Sequence, residues 1–363
     1  MNKFSNIYKN KKVLVTGATG FKGAWLSIWL SKLGAEVIGY SLEPSTNPSM
    51  FKMCNLDNKI TNIIGDIRDY SSLVSVFKEY RPDIVFHLAA QPLVRHSYNF
   101  PRETYETNVM GTVNVLEAAK STDSVKAVVV ITTDKCYENK EWVYGYRETD
   151  PMGGYDPYSS SKGCVELVVS SYRNSFYNER DIALASVRAG NIIGGGDWAE
   201  DRLVPDFVRA VSEDRSIIIR NPLAIRPWQH VLEPLSGYLW LGALMFKSKE
   251  KYSSAWNFGP KDTDVLNVEE IIKLAISSWG KGSIVLDKGY NPHEANTLKL
   301  DISKAKAYLK WSPAYNVSKA VEKTISWYKT YYKNDNQNMY EYTLKQIDEY
   351  EKEAKIQNLI WSE

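Results

Sequence analysis

Cysteine and histidine are scarce in this 363-residue chain, which holds three cysteines (Cys54, Cys136, Cys164) and four histidines (His87, His96, His230, His293). No CxxC or HxxxH pair occurs, so neither a disulfide scaffold nor a metal site is expected. Net charge is low as well: Lys+Arg 45 against Asp+Glu 43 leaves +2. No overall field therefore recruits nucleic acid or a membrane surface, and an anionic ligand must be held by local groups. Long apolar runs are missing. The longest charge-free one, residues 234–246, falls short of the ~18–20 residues a membrane span needs, and residues 1–12 are polar and lysine-rich without the apolar stretch of a signal peptide. These absences point to a cytoplasmic protein with reduced thiols.

What is present is an ordinary globular composition, 44% hydrophobic and 24% charged, enough for one large or two ordinary domains at ~100–200 residues each. Aromatic residues at 12% suit deep clefts or an oligomer interface. Up to residue 188, short β-branched runs (12–16, 36–40, 60–64, 83–88, 125–132 and 183–187) alternate with helical spacing at 21–33, 71–80, 105–119 and 158–177. Several of these runs are apolar on both faces, as strands covered by helices on both sides must be. The pattern predicts an α/β protein, a doubly wound parallel sheet over 1–188 with a smaller mixed α/β lobe over 189–335 interleaved with it. Residues 336–363 read as a helical extension that packs or pairs.

Gly17-Ala18-Thr19-Gly20-Phe21-Lys22-Gly23 follows the first strand and opens the first helix. Glycines at this place let the backbone approach a pyrophosphate, and the helix N-terminus supplies free N–H groups and a favourable dipole. The spacing resembles the extended members of the short-chain dehydrogenase/reductase superfamily, which implies a Rossmann-type sheet and a nicotinamide dinucleotide. Further segments carry the same resemblance. Gly65-Asp66-Ile67 is similar to the segment whose aspartate meets the adenine amino group; alternatively Asp66 caps the next helix. Leu88-Ala89-Ala90-Gln91 resembles the stretch bordering the adenosine and ribose, and Asn108 matches a helix asparagine. Ser41 stands where an NAD enzyme usually has an acid for the ribose hydroxyls. No Arg or Lys follows between 41 and 51 to clamp a 2′-phosphate, so NAD is the expected cofactor.

Tyr158-Ser159-Ser160-Ser161-Lys162 is a YxxxK element whose i,i+4 spacing puts both side chains on one helix face. A lysine ammonium beside a phenol favours phenolate and prepares the tyrosine as a base. Thr133 lies 25 residues upstream (158 − 133) at a strand end, matching the superfamily's Ser/Thr that meets the reacting hydroxyl, with Thr132 before it. Directly after it comes Asp134-Lys135, where sugar-nucleotide 4,6-dehydratases carry an acid–base pair, usually Asp-Glu. The run from Thr132 to Trp142, with Gly20 to Leu26 earlier, closely resembles the CDP-glucose branch of those dehydratases. The resemblance implies CDP-glucose as substrate, Tyr158 as base at the C4 hydroxyl, Asp134 as acid at the C6 hydroxyl, and either Lys135 or another group as the base at C5. A lysine works as a base at neutral pH only when desolvation or a cationic neighbour lowers its pKa from ~10.4. The alternatives are a turn-capping Asp134 with a solvated Lys135, a 4-epimerase or reductase sharing Thr133, Tyr158 and Lys162, and a non-catalytic dinucleotide sensor.

The same resemblance assigns substrate contacts to Asn191 after the sixth strand, to the segment Arg202-Leu203-Val204, to Arg226, and to Asn257 and His293. Arg226 is the phosphate anchor, since a guanidinium offers a planar fork of donors that suits a diphosphate. Members of the family pair through the helices at about 105–120 and 158–177, so a homodimer or homotetramer is expected.

Overall fold

The computed structural model describes residues 3–287, 297–333 and 338–363. Seven parallel strands form its central sheet: β1 (Lys12–Thr16), β2 (Glu36–Ser41), β3 (Thr61–Ile64), β4 (Ile84–His87), β5 (Ala127–Ile131), β6 (Ala183–Arg188) and β7 (Ala255–Asn257). Their order is β7-β6-β5-β4-β1-β2-β3. The chain therefore winds outward from β1 in both directions, and a crevice opens beyond the C-terminal ends of the paired strands β1 and β4, where their connections leave in opposite directions. β5 and β6 are buried along their whole length, which explains why their sequences are apolar without alternation.

One face of the sheet is covered by α2 (Tyr70–Tyr80), α3 (Gly111–Lys120) and α4 (Pro157–Tyr172). The other is covered by α1 (Phe21–Lys32) and α6 (Leu232–Lys247), which join the larger core cluster. The helical readings at 105–119 and 158–177 each contain a π turn, at Glu106–Met110 and Arg173–Tyr177. Apolar spacing does not register one extra residue per turn. β7 has no sequence signature: Ala-Trp-Asn is extended because it pairs with β6, Trp256 opposite Val187. Residues 232–257 thus return to the first sheet, while α5 (Leu203–Ser212), α7 (Val268–Trp279) and three two-stranded pairs build up the far side of the crevice.

The tail forms α8 (Val317–Tyr332) and α9 (Met339–Ile356). α9 docks on α1, where Glu351 accepts from Trp29 Nε1 at 2.8 Å and pairs with Lys3 and Lys32. Tyr350 donates to the buried Glu233 at 2.8 Å, and Trp361 stacks on Phe4 with ring centres 5.1 Å apart. A second buried charge lies under the site. Glu166 pairs with Arg188 at 2.7 Å and accepts from Ser186 at 2.6 Å and from Thr132. Arg188 also donates to Tyr137 Oη at 2.6 Å. With every polar atom of the carboxylate engaged, its burial is tolerated.

Candidate functional site

The C-terminal strand ends open onto one cavity of about 1350 Å³, and most of the residues expected to bind or react line it. At one end Gly17 follows β1 with φ +75°; a Cβ there would lie 2.7 Å from Ala89 N. Gly20 begins α1 without any side-chain cap, so first-turn N–H groups face the cavity beside Thr19, Phe21, Lys22 and Gly23. Ser41 Oγ accepts from Thr19 N at 3.3 Å. Asp66 lines the cavity and is not a cap; the cap of α2 is Asp69, which accepts from Ser72 N at 3.1 Å. Burial pushes the Asp66 carboxyl up, but Arg68, donating from Nε at 2.9 Å and Nη2 at 2.6 Å, holds it below its usual range. Ile67, Leu88, Ala89, Ala90 and Gln91 complete this wall. The uncapped helix start, a carboxylate at the far end and small residues between them fit a dinucleotide.

Two expected cofactor contacts are replaced by structural ones. Asn108 is 1% exposed and does not line the cavity. Its side chain accepts from Gln91 N at 2.8 Å and donates to Gln91 O and Ser161 Oγ, locking that wall to α4. Thr132 reaches the cavity wall, but its hydroxyl is turned to Glu166 and Val187 O. His87 is likewise structural: it bridges Thr16 and Thr112 at 2.7 and 3.0 Å, and burial drives its pKa to about 3.

The reactive groups meet at the centre. Asp156 caps α4 by accepting from Ser159 N at 2.9 Å, and Pro157 holds its first position. This start aims Tyr158 and Lys162 at the strand ends. Lys162 does not touch the phenol here; its Nζ donates to Ile131 O at 3.4 Å. Burial lowers Lys162 to about 8 against the pull of Glu166. Burial also pushes Tyr158 up to about 12, with Thr133 opposing by a hydrogen bond and the Asp134 charge reinforcing. The expected lowering of the Tyr158 pKa is not present: burial outweighs Thr133 and Arg202, the groups that favour the phenolate.

Thr133 Oγ1 donates to Asp134 Oδ1 at 2.9 Å and accepts from Lys135 N at 3.3 Å. Asp134 is 2% exposed. Its Oδ2 has no hydrogen-bond partner among the described residues and rests on Gly190, where a Cβ would stand 1.8 Å away. Burial raises its pKa, opposed by Lys135, Thr133 and Arg226. Lys135 is half-buried and lines the cavity. The cap of this turn is Thr133 and not Asp134. Lys22 also reaches this centre through its side chain: burial and the cations Arg202 and Lys162 bring its pKa down to about 7, against Asp134 and Asp197.

A profile of the family described as GDP-mannose 4,6 dehydratase matches residues 14–324. The chain is 52% identical over 337 residues to CDP-glucose 4,6-dehydratase of Salmonella typhimurium, covering 91% of this chain and 94% of that one. The chain belongs to this 4,6-dehydratase family. Two crystal structures share the fold. One is dTDP-glucose 4,6-dehydratase from Bacillus anthracis in complex with NAD (TM-score 0.73, 23% identity, 92% and 99% of the two chains covered). The other is UDP-glucose 4-epimerase with UDP-glucose from Thermotoga maritima (TM-score 0.76, 22% identity, 88% and 99% covered).

The opposite wall of the dehydratase cavity holds Asn191, Arg202, Leu203, Val204 and Arg226. Asn191 is held at φ +42°, and Arg202 donates to Asp197 at 2.7 Å. Asn257 does not line this wall. It is fully buried, donating to Tyr146 O and Asp301 O and accepting from Tyr137 Oη, so it fastens β7 to the loop after β5. His293 lies outside the described residues. Sequence reasoning missed Gly190, Asp197 and Glu166; of these only Glu166 carried a signal, four residues after Lys162 on the same helix face.

Proposed function

We propose that this protein is an NAD-dependent nucleotide-sugar 4,6-dehydratase, a hydro-lyase that converts CDP-glucose to CDP-4-keto-6-deoxyglucose and water. The observation that carries this reading is the acid–base pair Asp134-Lys135 set against Thr133 and Tyr158 at the centre of one cavity, which an epimerase does not need. The cytosine assignment rests on the 52% identical relative. The chemistry supplied by bound NAD is reversible hydride exchange with the sugar. The turn at 17–23 with Ser41 and Asp66 holds the dinucleotide, and Asn191, Arg202 and Arg226 hold the substrate diphosphate. Tyr158 takes the proton of the C4 hydroxyl. The resulting ketone acidifies C5, Lys135 removes that proton, and Asp134 protonates the departing C6 hydroxyl. Lys135 then returns a proton to C5.

Incubation with CDP-, UDP-, dTDP- and GDP-glucose in the presence of NAD tests the assignment. CDP-glucose should give the alkaline absorbance of a 4-keto-6-deoxy sugar. A C4 epimer retaining its C6 hydroxyl would make the protein an epimerase instead.

Lys135→Met should slow solvent-deuterium exchange at C5 of the 4-keto product by roughly 10²-fold or more, the scale of one positioned base. Lys135→Glu should recover part of it. Undiminished exchange in Lys135→Met would place the C5 base elsewhere.

We infer that copies of the chain pair through the surface of residues 105–120 and 158–177. Tyr105 donates to Ser160 across the two helices at 3.0 Å, and Met110, Leu167 and Phe176 are 52%, 62% and 41% exposed. A set of large apolar side chains left in solvent marks an association surface. Leu167→Glu should lower the sedimenting mass to that of one chain; an unchanged mass would exclude this surface.

A further inference from the structure

The wall proposed to hold the substrate diphosphate contains a carboxylate that the reaction does not use. Asp197 lines the cavity together with Arg202, and its side chain is 6% exposed against 34% for Arg202. A lone acid on such a wall would repel a diphosphate. Asp197 is not alone: its Oδ2 accepts from Arg202 Nη1 at 2.7 Å. The pair is neutral overall and oriented, with its negative end sunk in the wall and its positive end in the more open position.

The fold holds Asp197 firmly. Its backbone N–H donates to the Tyr328 hydroxyl at 3.0 Å, and that hydroxyl donates to its carbonyl, so α8 grips the residue from 131 positions later in the chain. Its Oδ1 accepts from Ala199 N at 3.1 Å. Gly196 before it takes φ +86°, and Trp198 after it packs edge-on against Trp327, Tyr328 and Tyr331 with ring centres 5.7, 5.7 and 5.3 Å away. Arg202, by contrast, is a long side chain at the start of α5, and such a side chain gives up much rotamer freedom when a ligand orders it. The other acid nearby has a different task. Asp201, at φ +58°, pairs with Arg95 and Arg220 at 3.3 and 3.4 Å.

We propose that Asp197 is a positioning residue for substrate binding: it fixes Arg202 in advance in the orientation that grips the diphosphate of the nucleotide sugar, and it leaves most of the guanidinium's donors to the phosphate oxygens. This rests on the nucleotide-sugar reading of the cavity and goes beyond it, since that reading assigns Arg202 alone. Preorganisation strengthens binding without touching the reacting atoms. Its signature is opposite to that of charge. The carboxylate by itself weakens the pull of Arg202 on phosphate, so if charge ruled, every substitution that removes it would tighten the ligand. If orientation rules, loss of the acceptor loosens the ligand and an uncharged acceptor restores it.

Titration calorimetry of the NAD-loaded protein with CDP separates the two. Asp197→Ala is expected to bind CDP about three- to tenfold more weakly, the scale of ordering one long side chain, and Asp197→Asn should recover most of that loss. Cytidine, which carries no phosphate, should bind wild type and Asp197→Ala alike. With CDP-glucose, Asp197→Ala should raise KM by the same factor and change kcat less. In an Arg202→Ala background, Asp197→Ala should have no further effect on CDP. Should the alanine variant fail to fold, Tyr328→Phe, which keeps the carboxylate and loosens its backbone, should weaken CDP in the same sense. Tighter or unchanged CDP binding in these variants, equal losses for CDP and cytidine, or a loss that persists without Arg202 would overturn the assignment and leave Asp197 a residue of the fold. A wild-type protein that binds CDP yet forms no 4-keto product from CDP-glucose would instead remove the dehydratase reading and leave Asp197 to be judged by the binding data.

Discussion

Tyr158→Phe is expected to lower product formation from CDP-glucose by at least roughly 10³-fold, towards the upper end of what a positioned acid–base group contributes. Phenylalanine keeps the ring, and so the packing at the start of α4, where Asp156 and Pro157 fix the first turn independently of the phenol. The melting temperature and NAD binding, read by circular dichroism and ligand titration, should therefore stay close to wild type while turnover disappears. What is lost is the phenol hydroxyl of a residue that lines the cavity together with Thr133. A mutant turning over at the wild-type rate would remove Tyr158 from the chemistry and leave it a wall residue.

Asp134→Asn is expected to slow water loss by roughly 10²–10⁴-fold. The amide has nearly the shape of the carboxyl, accepts the same hydrogen bond from Thr133, and fits the space that Gly190 leaves open. It has no acidic proton to give. In the proposed mechanism the steps at C4 and C5 depend on Tyr158 and Lys135, so the mutant should still exchange the C5 hydrogen with solvent. Incubation in deuterium oxide, followed by mass spectrometry of the recovered sugar, should find deuterium at C5 in molecules that keep their C6 hydroxyl. Unimpaired 4-keto-6-deoxy product would make Asp134 a packing residue.

The parts of this molecule that are legible in its sequence are those whose causes are local. A buried strand such as Ala127–Ile131 is written in five consecutive residues, and the dinucleotide turn in seven. Tyr158 and Lys162 lie four apart on one helix, so their common direction follows from helix geometry alone. What escapes is whatever a distant segment decides. Ala255–Asn257 becomes a strand only because β6 offers an open edge. Gly195 reads as loop filler, yet a Cβ there would stand 2.0 Å from the indole of Trp327, 132 residues away (327 − 195). Asn257 looks like a ligand contact and is consumed by Tyr137, Tyr146 and Asp301. Lys162 was readable as a partner of Tyr158 in position, but its choice of Ile131 O depends on how deeply α4 seats against β5. Glu166, with its spacing in plain view, lacked only Arg188 to make it recognisable as the anchor of that seating.

The docking of α9 on α1 also bears on how the protein is made. α1 carries the dinucleotide turn at its start, yet its outer face is covered by residues near the other end of the chain: Lys3 and Glu351 are 348 positions apart in sequence. During synthesis, the face of the first helix that meets α9 must wait, open, until residues 339–356 have left the ribosome. Contacts of such long sequence separation form late and slowly. The helix that opens the cofactor cradle is thus finished only after residues 339–356 are made, and a nascent chain stalled before residue 339 would lack the partners of Trp29 and Lys32 on α9.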